Sequence, residues 1–565
     1  MKNKFFKIPA QTSTVRSISI ACVYGIAVQC ANAQATATDV LRNIEQNAQG
    51  LSRSLPKAVQ KIAPPKATEE NITRLTEIRV QSPLFQQELM GYFLSEINKP
   101  VSAQKLSEFK AFAWELFQNK GYLAYITTHT QLTSTGSVLT VSVILPKLNK
   151  VSVVTTGGEL ADQYKDEIAS RFNAAYQAGM HVDIQGFENQ LSAVSYDLPV
   201  DLEMSMKQVS AADVDVIIHA RPLNAQPWKI LGGVLHANNF GLSQFGRNQL
   251  LGNIRLAGLA PASELTLTTQ QSLGVGYYRA DYETPLTATR TRLRSFASQA
   301  KSSATNIEGL SNEVGVGLTK LLKTDRHGRF LTGAEVSRRE TKNSSIGVLT
   351  SDRIDEQVRL KAKIESANRW VDNFTNEVTL TIGHIDLDRL TSDKSDDDLG
   401  LRVAGNYQKI ELTGALSQSL DRERIYTGTV RWKAQAASKN LDNYNRMSLG
   451  GISAIRAYSS IDGVGDQGLQ MSFDVIHQIV PDVYGGLFYD VGVIKNSHSP
   501  LSNATDTHSY LLQGAGWQVG GKIHEFNWSL STAHAFGKTP GPGVWTTANT
   551  QPGDFRVNFA VTRPF

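Results

Sequence analysis

The sequence predicts an all-β transmembrane barrel of about 16 antiparallel strands, preceded by two small α+β domains and an N-terminal helix. Three observations predict it. Over residues 227–565 helical periodicity disappears, and strand follows strand with apolar and polar residues alternating. Upstream, residues 71–226 repeat a β-α-α-β-β order twice. Mean hydropathy is −0.24, which excludes a bundle of membrane helices. It does not exclude a barrel, because only every second residue of a barrel strand faces lipid.

The chain opens with a charged stretch over 1–7, a mostly apolar stretch over 18–28 and the small-x-small site Ala31-Asn32-Ala33. Together these read as a signal peptide over 1–33. An apolar run of about a dozen residues falls short of the ~20 that a membrane-anchoring helix needs. Gln29 is too bulky for a lipoprotein site at Cys30. Both cysteines, Cys22 and Cys30, belong to this peptide, so no disulfide, cysteine nucleophile or cysteine metal site is expected after cleavage. The chain holds 57 Lys and Arg against 52 Asp and Glu. Lys2, Lys4, Lys7 and Arg16 all lie in the peptide, so the rest is balanced and no nucleic-acid-binding surface is expected.

Residues 34–50 are expected to hold a helix, capped by Asp39 and carrying Val40, Leu41 and Ile44 on one face. Residues 51–70, with Pro56, Pro64 and Pro65, read as an extended linker. The first α+β domain, 71–147, has strands over 75–81, 122–128 and 138–145 and helices over 84–97 and 103–119. The second, 148–226, has strands over 150–155, 201–209 and 214–219 and helices over 161–174 and 184–196. Gly121 stands where a helix stops, the usual place for a C′ glycine.

In the barrel region, Leu469, Met471, Phe473, Val475, His477 and Ile479 alternate with Gln470, Ser472, Asp474, Ile476 and Gln478. The last strand sets Phe555, Val557, Phe559 and Val561 against Arg556, Asn558, Ala560 and Thr562. A soluble sandwich of so many long strands would be unusually large, whereas a barrel with lipid outside and a polar lumen accounts for both faces. Phe565 ends the final strand, as expected of a barrel delivered to the outer-membrane insertion machinery.

Enzyme signatures are missing. There is no phosphate loop, no His-Glu-x-x-His and no Gly-x-Ser-x-Gly, and no catalytic residue, metal or cofactor is expected. The informative stretch is a connection of about 30 residues, far longer than a usual turn, between strands ending near Ala437 and beginning near Gln467. It contains Gly450-Gly451, then Arg456-Ala457-Tyr458, then Gly465-Asp466. Two strands later comes Phe488-Tyr489-Asp490-Val491-Gly492, whose alternation places Phe488, Asp490 and Gly492 on the lumen face.

These motifs resemble those of two-partner-secretion outer-membrane transporters (TpsB) of the BamA/TpsB superfamily. There, a loop 6 carrying Val-Arg-Gly-Tyr or Phe lies between Gly-Gly and Gly-Asp-x-Gly. The pair Gly121-Tyr122 likewise resembles a feature of polypeptide-transport-associated (POTRA) domains. The resemblance covers nearly the whole chain after the signal peptide. It implies that loop 6 folds back into the barrel and that Arg456 pairs with Asp490. It implies a monomeric pore exporting one unfolded TpsA-type exoprotein, such as an adhesin, haemolysin or contact-dependent toxin, captured by periplasmic POTRA domains and gated by loop 6 and the helix of 34–50. Outer-membrane lipids, and the assembly machinery during biogenesis, are the other implied partners. Two POTRA domains favour secretion over the alternative, an outer-membrane protein assembly factor of the same superfamily. Ala457 departs from the family's Gly, so its backbone should not need a positive φ and its packing should differ.

Overall fold

The computed structural model describes Ile72, 74–156, Asp162, 164–198, 200–210, 212–222, 228–260, 262–286, 289–325, 328–366, 371–421, 423–500, 509–537 and 550–565. The expected signal peptide, N-terminal helix and linker, all within 1–70, lie outside the described residues.

The first α+β unit comprises β1 (Leu75–Gln81), α1 (Gln86–Gly91), α2 (Ala103–Asn119), β2 (Tyr125–Thr133) and β3 (Gly136–Ile144). Its sheet order is β1-β3-β2, with β1 parallel and β2 antiparallel to β3. The second unit repeats that plan with β4 (Lys147–Thr155), α3 (Lys165–Ala175), α4 (Ile184–Asp197), β5 (Val200–Gln208) and β6 (Asp213–Pro222), in order β4-β6-β5. Ser102 caps α2 by accepting from the Lys105 amide at 3.2 Å. Leu106, Phe109, Ala113 and Phe117, three or four residues apart, then bury one face against the sheet. Asp183 caps α4 in the same way through the Gly186 amide at 3.0 Å.

Two expectations change in the first unit. The segment 84–97 is not one helix: α1 stops at Gly91, a poor helix former, and the chain resumes as a 3₁₀ turn at Leu94–Glu96. The strand expected from 122 begins only at Tyr125, because Tyr122 bridges to Asp183 and Leu123 is buried in the core of the second unit. Gly121, at φ 87°, ends α2 in a Schellman arrangement: its amide donates to Gln118 O at 2.9 Å and that of Tyr122 to Phe117 O at 2.9 Å. Its carbonyl also accepts from the Ile184 amide at 2.8 Å. This glycine therefore both caps a helix and ties the two units together.

The barrel closes with 16 strands. They are β7 (Ile230–Asn238), β8 (Gln249–Ala257), β9 (Glu264–Gln271), β10 (Val275–Leu286), β11 (Thr291–Ala304), β12 (Ile307–Asp325), β13 (Gly328–Ser345), β14 (Val348–Ser366), β15 (Asn373–Asp386), β16 (Gly405–Ser419), β17 (Tyr426–Ala437), β20 (Gln467–Val480), β21 (Val483–Lys495), β22 (Ser509–Ile523), β23 (Phe526–Gly537) and β24 (Phe555–Pro564). The short pieces β18 (Met447–Ser448) and β19 (Val464–Gly465) pair inside the connection between β17 and β20. A helix α5 (Thr391–Leu399) sits between β15 and β16. All neighbouring barrel strands are antiparallel, and β24 closes on β7 from Ala560↔Asn238 to Pro564↔Val234. Phe565 extends this seam by exchanging backbone hydrogen bonds with Gly233 at 2.8 and 3.0 Å.

Alternation sorts the faces as expected. Leu469, Phe473 and Val475 are exposed on the outside, while Gln470, Ser472 and Asp474 are buried inside. Strands β12, β13 and β14 have 19, 18 and 19 residues, where about 9–11 cross a bilayer, so this part of the wall projects beyond the membrane. At the end of β12 near its turn into β13, α4 meets the barrel: Ser192 Oγ lies 2.8 Å from Thr324 Oγ1, and Arg292 donates to Tyr196 O at 3.0 Å. Among the described residues no helix is long and apolar enough to cross a membrane.

Candidate functional site

The connection from β17 to β20 folds inward and is buried over most of its length. Its base is closed by Met447 pairing with Gly465 and Ser448 with Val464. Asp466 fastens the base further, accepting from Arg446 Nε at 3.0 Å, the Leu441 amide at 3.2 Å and the His498 amide at 2.8 Å. Gly450 and Gly451 allow the chain to double back. A Cβ at Gly450 would strike the Ser459 carbonyl, and Gly451 sits at φ 114°.

The limbs on both sides of this turn carry an apolar face that docks on the lumen side of the wall. Leu449, Ile455, Ala457 and Tyr458 form one buried cluster with Phe488, Leu512, Ala533 and Ala535. Glycines on the wall make room for it. A Cβ on Gly492 would come within 2.8 Å of Leu449 Cδ2, and one on Gly514 within 2.8 Å of the Ala457 methyl. Ala457 does not take a positive φ, and the Tyr458 hydroxyl donates to Phe536 O at 3.2 Å. On the other side of the lumen, Tyr444 and Ile461 pack with Leu242, Phe245 and Tyr277, so the loop touches opposite walls.

Arg456 sits at the centre of this dock. Its Nε and Nη2 donate to the two oxygens of Asp490 at 2.9 and 2.7 Å, its own amide donates to Asp490 Oδ2 at 3.0 Å, and Nη1 donates to Asp474 Oδ1 at 2.6 Å. The guanidinium also lies 3.5 Å from the centroid of the Phe488 ring. Arg456 is 4% exposed and Asp490 0%. Such a fork of charge-assisted bonds with an aromatic floor is a site that Lys could not reproduce.

The structure thus brings together Gly450, Gly451, Arg456, Ala457, Tyr458, Gly465, Asp466, Phe488, Asp490 and Gly492. Gly121 and Tyr122 lie instead between the α+β units, and Phe565 lies at the seam. Among the described residues no cluster of His, Cys, Asp and Glu is placed to hold a metal.

The sequence model of the haemolysin secretion/activation protein family ShlB/FhaC/HecB matches residues 222–521. The chain belongs to this family. It is therefore a TpsB-type, non-enzymatic secretion pore of the outer membrane. Its fold is similar to solved structures of CdiB from Escherichia coli (TM-score 0.57, 14% identity, 95% of this chain and 98% of that one) and CdiB from Acinetobacter baumannii (TM-score 0.58, 13% identity, 95% and 99%). BamA from Haemophilus ducreyi lacking POTRA domains 1–3 is also similar in fold (TM-score 0.51, 12% identity, 88% and 100%). No curated protein matches by sequence.

In this TpsB chain one site residue escaped sequence reasoning. Asp474 supplies the second carboxylate for Arg456 and also accepts from Arg431 at 2.9 Å and Gln518 at 3.0 Å. Alternation put it on the wet face. Its signal was register: Asp474 stands opposite Phe488, and Ser472 opposite Asp490, so the two carboxylates flank one point of the wall.

Proposed function

We infer that this pore exports a single large TpsA-type exoprotein and that loop 6, the 438–466 connection, is part of its gate. The observation that carries the reading is Arg456, a buried guanidinium held inside the lumen by Asp490 and Asp474. Removing one partner of such a buried set costs about 3–5 kcal/mol, so the docked loop is a stable resting arrangement. A client entering a filled lumen has to displace it.

The client reaches the pore unfolded and is captured by the α+β units. Strands β2 and β5 lie at the edges of their sheets, and a sheet edge is suited to adding an extended segment with modest sequence demand. Folding outside the cell then prevents return. The helix of 34–50 closes the barrel at rest and leaves on its proline-containing linker.

Arg456→Ala should sharply reduce export of the exoprotein while the barrel remains inserted and folded. Normal export by that variant would overturn the loop-6 assignment. Deleting residues 36–49 should raise conductance in planar bilayers, and unchanged conductance would refute the plug.

A further inference from the structure

Loop 6 meets the barrel wall a second time, at its other end. The limb leaving β17 runs to β13 and β14, and β14 lies four positions round the barrel from β20. With adjacent strands ~4.8 Å apart, the two docking points are about 20 Å apart along the wall.

Four side chains of β13 and β14 grip this limb. Arg353 of β14 donates through Nη1 to Asp442 at 2.5 Å, while its Nε and Nη2 donate to Asp393 of α5 at 2.9 and 2.6 Å. The Arg339 guanidinium of β13 lies 3.4 Å from the centroid of the Tyr444 ring and donates to Glu313 at 3.1 Å. Asp355 of β14 accepts from Asn445 Nδ2 at 2.8 Å and from the Tyr407 hydroxyl at 2.9 Å, and Gln357 donates to Asn445 Oδ1 at 3.0 Å. Arg339, Asp355, Asp393, Asp442 and Asn445 are all buried.

Buried charges persist only where they are paired, and a partner that moves away leaves the other uncompensated. Asp442 and Asn445 satisfy wall groups that have no part in the Arg456 site. The limb is therefore held on its own account.

The geometry points to a second lock on loop 6: Arg339, Arg353 and Asp355 grip Asp442, Tyr444 and Asn445, and the lumen opens only when both this stem and the Arg456 tip are released. The inference rests on the gating reading of loop 6 and makes Arg353 and Asp355 positioning residues of that gate. Through Asp393 it also couples helix α5 to the loop.

The test is the rate at which a membrane-impermeant maleimide labels the full-length protein carrying Ser448→Cys, corrected for labelling of the parent chain. Ser448 is buried between the two locks. Arg353→Gln with Asp355→Asn should raise the rate about tenfold with Arg456 intact, because charged hydrogen bonds are lost at the stem. Adding Arg456→Ala should raise it further. Tyr444→Phe, which keeps the ring under Arg339, should label like the parent, and Tyr444→Leu faster. If the wall variants do not yield a folded barrel, Asp442→Asn with Asn445→Ala tests the same contacts from the loop side.

Labelling at the parent rate by every stem variant, in both the intact and the Arg456→Ala backgrounds, would overturn the second lock. Arg456→Ala would still impair export in that case if the gating reading holds. Faster labelling of the stem variants, with export and conductance unchanged in all variants including Arg456→Ala, would support the lock and overturn the gate.

Discussion

Ala457 and Gly514 should behave as one contact split between loop and wall. An added Cβ at Gly514 would lie 2.8 Å from the Ala457 Cβ and 3.4 Å from Ile455 Cγ2, where ordinary contact begins at 3.4 Å. Gly514 has no positive φ, so Gly514→Ala carries no backbone strain and should gain ~0.4–1 kcal/mol from a stiffer unfolded chain. Overpacking against the Ala457 methyl costs about 1–3 kcal/mol, leaving a net loss of ~1–2 kcal/mol. Ala457→Gly alone forfeits a buried methyl, ~0.8 kcal/mol, and adds backbone freedom worth ~0.5–1 kcal/mol. In the double variant the methyl returns from the wall side, and stability should lie within ~1 kcal/mol of the parent, a coupling near 2 kcal/mol. The assay is equilibrium guanidinium unfolding in detergent micelles followed by tryptophan fluorescence, with export of the exoprotein as a second readout. Additive losses, with the double variant weaker than either single one, would refute the packing argument.

Other substitutions probe the remaining contacts. Asp490→Ala should impair export more than Asp474→Ala, because Arg456 keeps its two-oxygen grip when only Asp474 is lost; equal effects measured by secretion would contradict this ranking. Gly233→Leu should reduce the yield of folded, heat-modifiable barrel, since a side chain there collides with the Phe565 ring at the seam, and an unchanged yield would count against that contact. Gly121→Ala should cost ~1 kcal/mol or more at a position with φ 87°, and should increase limited proteolysis between the two α+β units.

How much could be read in advance depended on range. Alternation has a period of two residues and is written locally, so the inward place of Asp490 and Ser472 was legible from their own strands. The cap at Gly121 was legible for the same reason, but its second contact with Ile184 was not, because a different unit supplies it. The strand expected at 122 began later for that reason too: Tyr122 and Leu123 are claimed by neighbours from the second unit, and that tertiary demand outweighs local propensity. Arg456 and Asp490 were brought together on paper only by resemblance to a family. Nothing in their own surroundings pointed to Asp474, whose role depends on the register of β20 against β21.

By itself, then, the sequence determined the fold class, the two α+β units, the barrel and the unusual length of the connection between β17 and β20, because each is encoded by short-period patterning and turn chemistry; the return of that connection into the barrel was implied only by resemblance to a family. Only the tertiary structure decided that Gly514 receives Ala457, that Asp474 shares Arg456, and that β13 and β14 hold the stem of loop 6. Asn445 and Asp355 are 90 residues apart, and their meeting is set by barrel closure and strand register. The partners of a buried charge are chosen by that geometry, and no local pattern carries it.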